Sequence, residues 1–204
     1  VRAGSKAEMA LPDGTFVHLN AATNLEYDVN NSKQRLVKLS GEAFFDVAKN
    51  PDCPFKVIIN DLQIEVVGTS FNVKTYKKDI VETSLLSGRI RISGGSLPHE
   101  YTLSPGQKAT YSAMDRTLRI SKADAHVEAG WRDNYLIFES TPLIDVIAQI
   151  ERWYGVEIRL HHKQIAQDLL SGSFRNESIQ NVIRSLSIQY GFKYEIHKDI
   201  ITIY

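Results

Sequence analysis

Residues 136–160 read LIFESTPLIDVIAQIERWYGVEIRL, and residues 172–196 read GSFRNESIQNVIRSLSIQYGFKYEI. Laid over one another at an offset of 36, Phe138 falls on Phe174, Leu143 on Ile179, Val146 on Val182 and Ile147 on Ile183. Ile150 falls on Leu186, Tyr154 on Tyr190, Gly155 on Gly191, Ile158 on Tyr194 and Leu160 on Ile196. Apolar residues stay apolar and the glycine stays glycine with no gap needed. The last third of the chain is therefore a duplicated supersecondary unit.

Each copy has a physical reading. Leu143, Val146, Ile147, Ile150 and Tyr154 form one stripe of a 3.6-residue period, an amphipathic helix. Thr141 and Pro142 predict its start, a hydroxyl cap followed by proline at the first helical position, and Gly155 predicts its stop. Tyr135–Phe138 is a short apolar run before it. Val156, Ile158 and Leu160 alternate with Glu157 and Arg159 after it, as in a half-buried strand. The second copy repeats the pattern around Ile179, Val182, Ile183, Leu186 and Tyr190. A final strand, Ile200–Tyr204, returns through the turn His197-Lys198-Asp199. The expected unit is βαβ–βαββ, with two helices against a small sheet.

Residues 6–121 read differently. Short alternating segments recur at Thr15–Asn20, Asn24–Val29, Arg35–Leu39, Ala43–Ala48, Phe55–Ile59, Gln63–Val67, Phe71–Tyr76, Ile80–Leu85, Arg89–Ser93, Gln107–Ser112 and Thr117–Ser121. Glycine turns punctuate them, and Gly14, Gly41 and Gly68 lie 27 apart. Many short strands without a convincing helix predict an all-β sandwich, a jelly roll or an irregular β-solenoid. The chain is thus mainly β with an α+β C-terminal domain. The expected division is 1–121 all-β, 122–130 linker (KADAHVEAG, with room for a short helix) and 131–204 for the repeats.

The 204 residues carry 24 positive and 24 negative side chains, and 43% are apolar, enough for sizeable cores. Split at residue 130, the first part is net +1 and the second net −1, so neither binds a polyanion by bulk charge, and nucleic acid is not an expected partner. No stretch reaches the roughly 18 apolar residues of a membrane span. With no leader pattern and a start at Val1 in mid-pattern, the sequence reads as an excised soluble fragment. Cys53 is the single cysteine, which excludes an intrachain disulfide.

A set of motifs carries a family resemblance. Leu11-Pro12-Asp13-Gly14-Thr15 with Val17, Leu19 and Asn20, then Leu39-Ser40-Gly41-Glu42-Ala43-Phe44-Phe45-Asp46-Val47, resembles the FecR family. So do Pro54-Phe55-Lys56-Val57, Val66-Val67-Gly68-Thr69-Ser70-Phe71-Asn72-Val73 and Leu103-Ser104-Pro105-Gly106. The set covers about residues 8–112 in family order. The C-terminal duplication resembles the short STN domain shared by secretins and the N-termini of TonB-dependent receptors, and its placement after a FecR domain resembles the Bacteroidota arrangement.

The resemblance implies the periplasmic region of an inner-membrane, single-pass anti-sigma factor. In such proteins a cytoplasmic segment, absent from this sequence, holds an extracytoplasmic-function sigma factor. The periplasmic part senses a loaded outer-membrane transporter through that transporter's N-terminal signalling domain. Some FecR-like proteins are cut at a Gly-Thr matching Gly68-Thr69, where the threonine hydroxyl attacks the preceding carbonyl to give an ester that water opens. Ordinary turn chemistry is the plainer account of a Gly-Thr at a strand entry.

Two features read as partner-binding. Ile200, Ile201, Thr202, Ile203 and Tyr204 form a short, apolar, terminal strand, a candidate docking edge, with a paired central strand as the plain alternative. Trp153 flanks the helix stripe where its repeat counterpart is Gln189, so the fold does not need an aromatic there; interdomain packing is its other use.

Catalysis of a foreign substrate has little support. His161 and His162, adjacent in an expected strand, point to opposite faces and cannot share a metal. His18, His99, His126 and His197 are scattered, Glu42 and Asp46 are a lone acidic pair, and no phosphate loop or nucleophile elbow occurs. No metal or cofactor is expected. The second reading is a periplasmic module for a small glycan or siderophore, using a groove lined by Tyr76, Tyr101 or Tyr111.

Overall fold

The computed structural model describes residues 1–27, 35–161 and 163–204, which fall into two units. One comprises Val1 and Lys6–Ala129, the other Arg2–Ser5 and Gly130–Tyr204.

Thirteen strands build the first unit: β1 (Ala7–Ala10), β2 (Phe16–Leu19), β3 (Asn24–Tyr27), β4 (Arg35–Ser40), β5 (Glu42–Asp46), β6 (Phe55–Ile59) and β7 (Leu62–Val66), followed by β8 (Ser70–Lys74), β9 (Ile80–Ser87), β10 (Ile90–Gly94), β11 (Tyr101–Leu103), β12 (Gln107–Ser112) and β13 (Thr117–Lys122). They form a seven-stranded sheet, β1-β2-β5-β8-β9-β12-β13, and a six-stranded sheet, β11-β10-β7-β6-β4-β3. Pairing is antiparallel except between β4 and β6, where Val37 lies beside Val57.

Alternation does the packing. Val17, Leu19, Ala43, Phe45, Phe71 and Val73 of the larger sheet and Val37, Leu39, Phe55, Val57, Ile64 and Ile92 of the smaller are all buried in one core. Phe45 stacks on Phe71 at 5.2 Å and meets Phe55 of the facing sheet at 5.8 Å. Of the three expected architectures the sandwich is the one formed. Gly41, Gly68 and Gly88 stand where the chain crosses from one sheet to the other. At Gly88 (φ 89°) a Cβ would lie 2.7 Å from Thr69 Oγ1 and 2.8 Å from the Gly68 carbonyl oxygen, so only glycine fits that crossing.

β1 and β11, of four and three residues, lie outside the expected strand segments. The end of the expected Asn24–Val29 strand beyond Tyr27 lies outside the described residues. Within 122–130 the chain forms α1 (Ala125–Ala129), whose Glu128 accepts from Ser84 Oγ at 2.9 Å and pairs with Lys108 Nζ at 2.6 Å.

The second unit contains β14 (Tyr135–Pro142), α2 (Leu143–Tyr154), β15 (Glu157–Leu160), β16 (Leu169–Arg175), α3 (Ile179–Tyr190), β17 (Tyr194–His197) and β18 (Ile200–Ile203). The two helices stand at the same offset of 36 as the sequence repeat. β14 and β16 pair antiparallel, while β15, β18 and β17 form a separate three-stranded sheet. Leu143, Val146, Ile147 and Ile150 of α2 and Val182, Ile183 and Leu186 of α3 meet in a second core.

Both helices end on glycines in the left-handed region, Gly155 (φ 70°) and Gly191 (φ 71°), whose N–H groups bond Glu151 O and Ser187 O. Their starts differ. Ser178 caps α3 by accepting from Asn181 N at 3.2 Å. Thr141 does not cap α2: its hydroxyl turns back to Glu139, β14 runs on to Pro142, and the helix begins at Leu143. Arg2–Ser5 straps this unit, with Gly4 N–H donating to Arg152 O at 2.8 Å.

Candidate functional site

Ile200–Tyr204 is not the docking edge its position suggested. β18 lies in the middle of its sheet, parallel to β15 (Glu157 beside Ile200, Leu160 beside Ile203) and antiparallel to β17 (Tyr194 beside Ile203). The reason is in the core: Ile201 and Ile203 are buried, and strands on both sides place them there. Tyr204, just past the strand, is 52% exposed; its ring stacks on His161 at 5.8 Å and its hydroxyl lies 3.3 Å from Glu195 Oε2. Trp153 is half-buried against the second core.

The free edges of this unit lie elsewhere. β15 exposes Glu157 and Arg159, which pair with each other at 2.7 Å, and β17 exposes Glu195 and His197. Charges along an edge oppose the approach of another strand. Among the described residues β16 pairs only with β14, and it bears no ionisable side chain from Leu169 to Phe174. Leu169 is 59% exposed, and Ser171, Gly172 and Ser173 are exposed as well.

Beside Phe174 of β16, a groove of about 360 Å³ runs along α3, lined by Glu177, Asn181, Arg184, Ser185 and Ile188. Ile188 is 76% exposed. Asn181 Nδ2 donates to Glu177 Oε2 at 2.9 Å, whereas Arg184 has no carboxylate partner among the described residues. Sequence reasoning missed this groove. Its signal was Ile188, an isoleucine off the apolar stripe of its own helix.

The other candidates are dispersed. Thr69 is buried, and its hydroxyl donates to Arg89 O at 3.1 Å. Lys49 and Gly88 crowd the Gly68-Thr69 segment. Glu42 is buried, accepting from Asn20 Nδ2 at 2.7 Å and Asn72 Nδ2 at 2.9 Å. Burial raises its pKa; Lys74 and the two amides pull the other way without reversing it. Asp46, on the same strand, is exposed and accepts from Ser70 Oγ at 2.7 Å, so the acidic pair is split between two environments.

The three tyrosines expected to line a groove sit in separate environments. Tyr111 belongs to the sandwich core and bonds the Gly95 carbonyl, Tyr101 stacks on His99 at 4.4 Å on an edge strand, and Tyr76 donates to Ala21 O. None of the three lines the groove along Arg35, Pro54 and Lys56 or the one along Asn24, Lys38 and Ile58. His162 lies outside the described residues. Among those described, no three His, Cys, Asp or Glu side chains are placed to hold a metal, and no helix is long and apolar enough to cross a membrane.

Residues 1–91 match the family model described as FecR protein, and residues 135–203 match the one described as FecR, C-terminal. Two crystal structures of a candidate anti-sigma factor from Parabacteroides distasonis, at 1.65 and 2.50 Å resolution, superpose on the whole chain. The TM-score is 0.88 in each case, with 30% identity, over 100% of this chain and 96% of theirs. The chain belongs to the FecR family. No curated protein matches it. FecR membership carries a regulatory, signal-transducing role in the anti-sigma factor class, a class that is generally non-enzymatic.

Proposed function

We propose that this FecR chain is the periplasmic, signal-receiving region of a membrane-anchored anti-sigma factor. Its C-terminal unit receives the N-terminal signalling domain of a TonB-dependent outer-membrane transporter, and the outcome controls an extracytoplasmic-function sigma factor held by a segment outside this sequence. Family membership supports the regulatory role. The observation that carries the choice of surface is the edge of β16: among the described residues it is paired on one side only, and it is uncharged from Leu169 to Phe174. Such an edge offers a row of main-chain donors and acceptors to an incoming strand, and main-chain pairing supplies affinity with little demand on sequence.

The test is titration calorimetry of the chain with the signalling domain of the transporter encoded beside its gene. Ser173 is exposed on β16, so Ser173→Lys places a charge on the edge without disturbing the core. Saturable binding weakened at least tenfold by S173K is the expected result. Binding indifferent to S173K removes β16 as the surface, and no binding removes the transporter as the partner.

A further inference from the structure

The duplication supplies an internal control, because the same fold is built twice in one unit. Positions that differ in character between the copies are not dictated by the fold. Ile188, 76% exposed on α3, corresponds to Arg152 of α2 at the offset of 36. Leu169, 59% exposed, corresponds to Asp133, and Arg184 corresponds to Ala148. Gly172 corresponds to Leu136, which is 1% exposed and fills the core, whereas a Cβ at Gly172 would meet nothing within 4 Å. The second copy thus carries apolar groups in water, an open space beside Phe174 and a cation with no carboxylate partner among the described residues, where the first copy has Arg152, Asp133 and a leucine in the core. These departures fall on β16 and on the α3 face beside it.

Exposing isoleucine and leucine where the sister copy uses arginine and aspartate has no benefit to a helix or strand in water. It does suit a surface that becomes covered. Arg184 adds a requirement for the covering group: an isolated guanidinium beside apolar side chains calls for a carboxylate, which it engages through two parallel hydrogen bonds. Glu177 does not answer that need, since it precedes the Ser178 cap of α3, seven positions before Arg184, and is held by Asn181.

We infer that the groove between β16 and α3 is a docking site for an extended acidic-apolar segment of a partner protein. One apolar side chain of that segment sits between Phe174 and Ile188, and a neighbouring Asp or Glu pairs with Arg184. This rests on the reading above in one respect: the transporter's signalling domain is the protein that supplies the segment. The strand edge sets how the segment lies, and the groove sets which sequence is accepted.

Ile188→Arg installs the residue the first copy already carries, on a side chain that is 76% exposed, so the fold is left intact; Arg184→Glu and Arg184→Gln alter an exposed residue of the same helix. Ile144→Arg, on the exposed side of α2 and away from the groove, is the control. Two probes are used in parallel: the neighbouring transporter's signalling domain, by calorimetry, and a displayed library of random twelve-residue peptides, panned on the immobilised chain.

The expected result is at least tenfold weaker binding of the domain by I188R and by R184E, unchanged binding by I144R, and a shallower salt dependence with R184Q. Library peptides enrich for an acidic residue next to an aliphatic or aromatic one, and I188R no longer retains them. Domain binding that ignores I188R and R184E overturns this inference and leaves the transporter reading standing. If the domain does not bind but acidic-apolar peptides still depend on Ile188 and Arg184, the transporter reading falls and the groove stands. Enrichment independent of both residues, or concentration-dependent self-association abolished by I188R, overturns the groove's assignment to a partner segment.

Discussion

Replacing Glu42 with glutamine keeps the shape of a buried side chain and removes half of what its neighbours need. Glu42 Oε2 accepts from Asn20 Nδ2 at 2.7 Å and Oε1 from Asn72 Nδ2 at 2.9 Å. Asn20 cannot turn its amide to compensate, because its Oδ1 already accepts the Ala21 N–H at 2.8 Å. In E42Q the one amide oxygen serves Asn20, and the glutamine NH2 confronts the Asn72 NH2 or forces that buried amide to turn over. A buried donor without an acceptor costs about 1–3 kcal/mol, and relief from burying a carboxylate offsets part of that. A net loss of about 1–2 kcal/mol is expected near pH 5, a fall of about 3–8 °C in midpoint for a unit of this size.

The pH dependence has a definite sign. Burial raises the folded-state pKa of Glu42 above its ordinary 4.5, so the folded chain holds this proton more tightly than the unfolded one. Such a group contributes its full stability below the unfolded pKa and loses it as pH rises through the folded value. Glutamine does not titrate, so the gap between wild type and E42Q narrows as pH climbs above 4.5. Urea unfolding followed by far-UV circular dichroism measures it. Trp131 and Trp153, the two tryptophans of the chain, both lie in the other unit, and their fluorescence serves as an internal control. A variant as stable as wild type near pH 5, or a gap that widens with pH, refutes the reasoning.

The cap glycines give a paired prediction. Alanine at either costs about 1–2 kcal/mol for its left-handed backbone. At Gly191 a Cβ meets nothing within 4 Å, but at Gly155 it would press at 3.3 Å on Ala3 and Gly4 of the strap. G155A should therefore lower the tryptophan-monitored transition by about 1 kcal/mol more than G191A, and equal losses would show the strap is not held there. Ser178→Ala should cost about 1 kcal/mol in the same assay, while Thr141→Ala costs almost nothing, because of these two Ser178 alone caps its helix. The chain should keep its full 23.0 kDa mass after overnight incubation, as should Thr69→Ala. The Thr69 hydroxyl is committed to Arg89 O, and among the described residues no carboxylate, imidazole or amine is bonded to it to take the proton; fragments ending at Gly68 would contradict this.

What the sequence made legible follows from how locally each feature is encoded. A helix of three turns declares itself through its own residues, so the apolar stripes of the duplicated helices and the glycines that end them were readable, while the start of α2 was not. Strands such as Phe55–Ile59 and Gln107–Ser112 alternate strongly enough to be bounded from sequence alone. Strand order is not local: nothing in ITIY tells whether its neighbours lie on one side or both, and β18 proved central because β15 joins it in parallel from more than 40 positions away. Thr141-Pro142 failed as a start signal because its hydroxyl had a nearer partner in Glu139. The groove along α3 was hidden because a single exposed isoleucine is unremarked until β16, lying beside it, is found with an unpaired, uncharged edge.

The most direct test of the account is the titration of this chain with the N-terminal signalling domain of the transporter encoded beside its gene, with S173K in parallel. Saturable binding that S173K weakens at least tenfold, with both proteins folded, is the predicted result. A signalling domain that leaves the chain untouched at all concentrations would contradict the claim that this FecR chain receives a transporter's signal through its C-terminal unit.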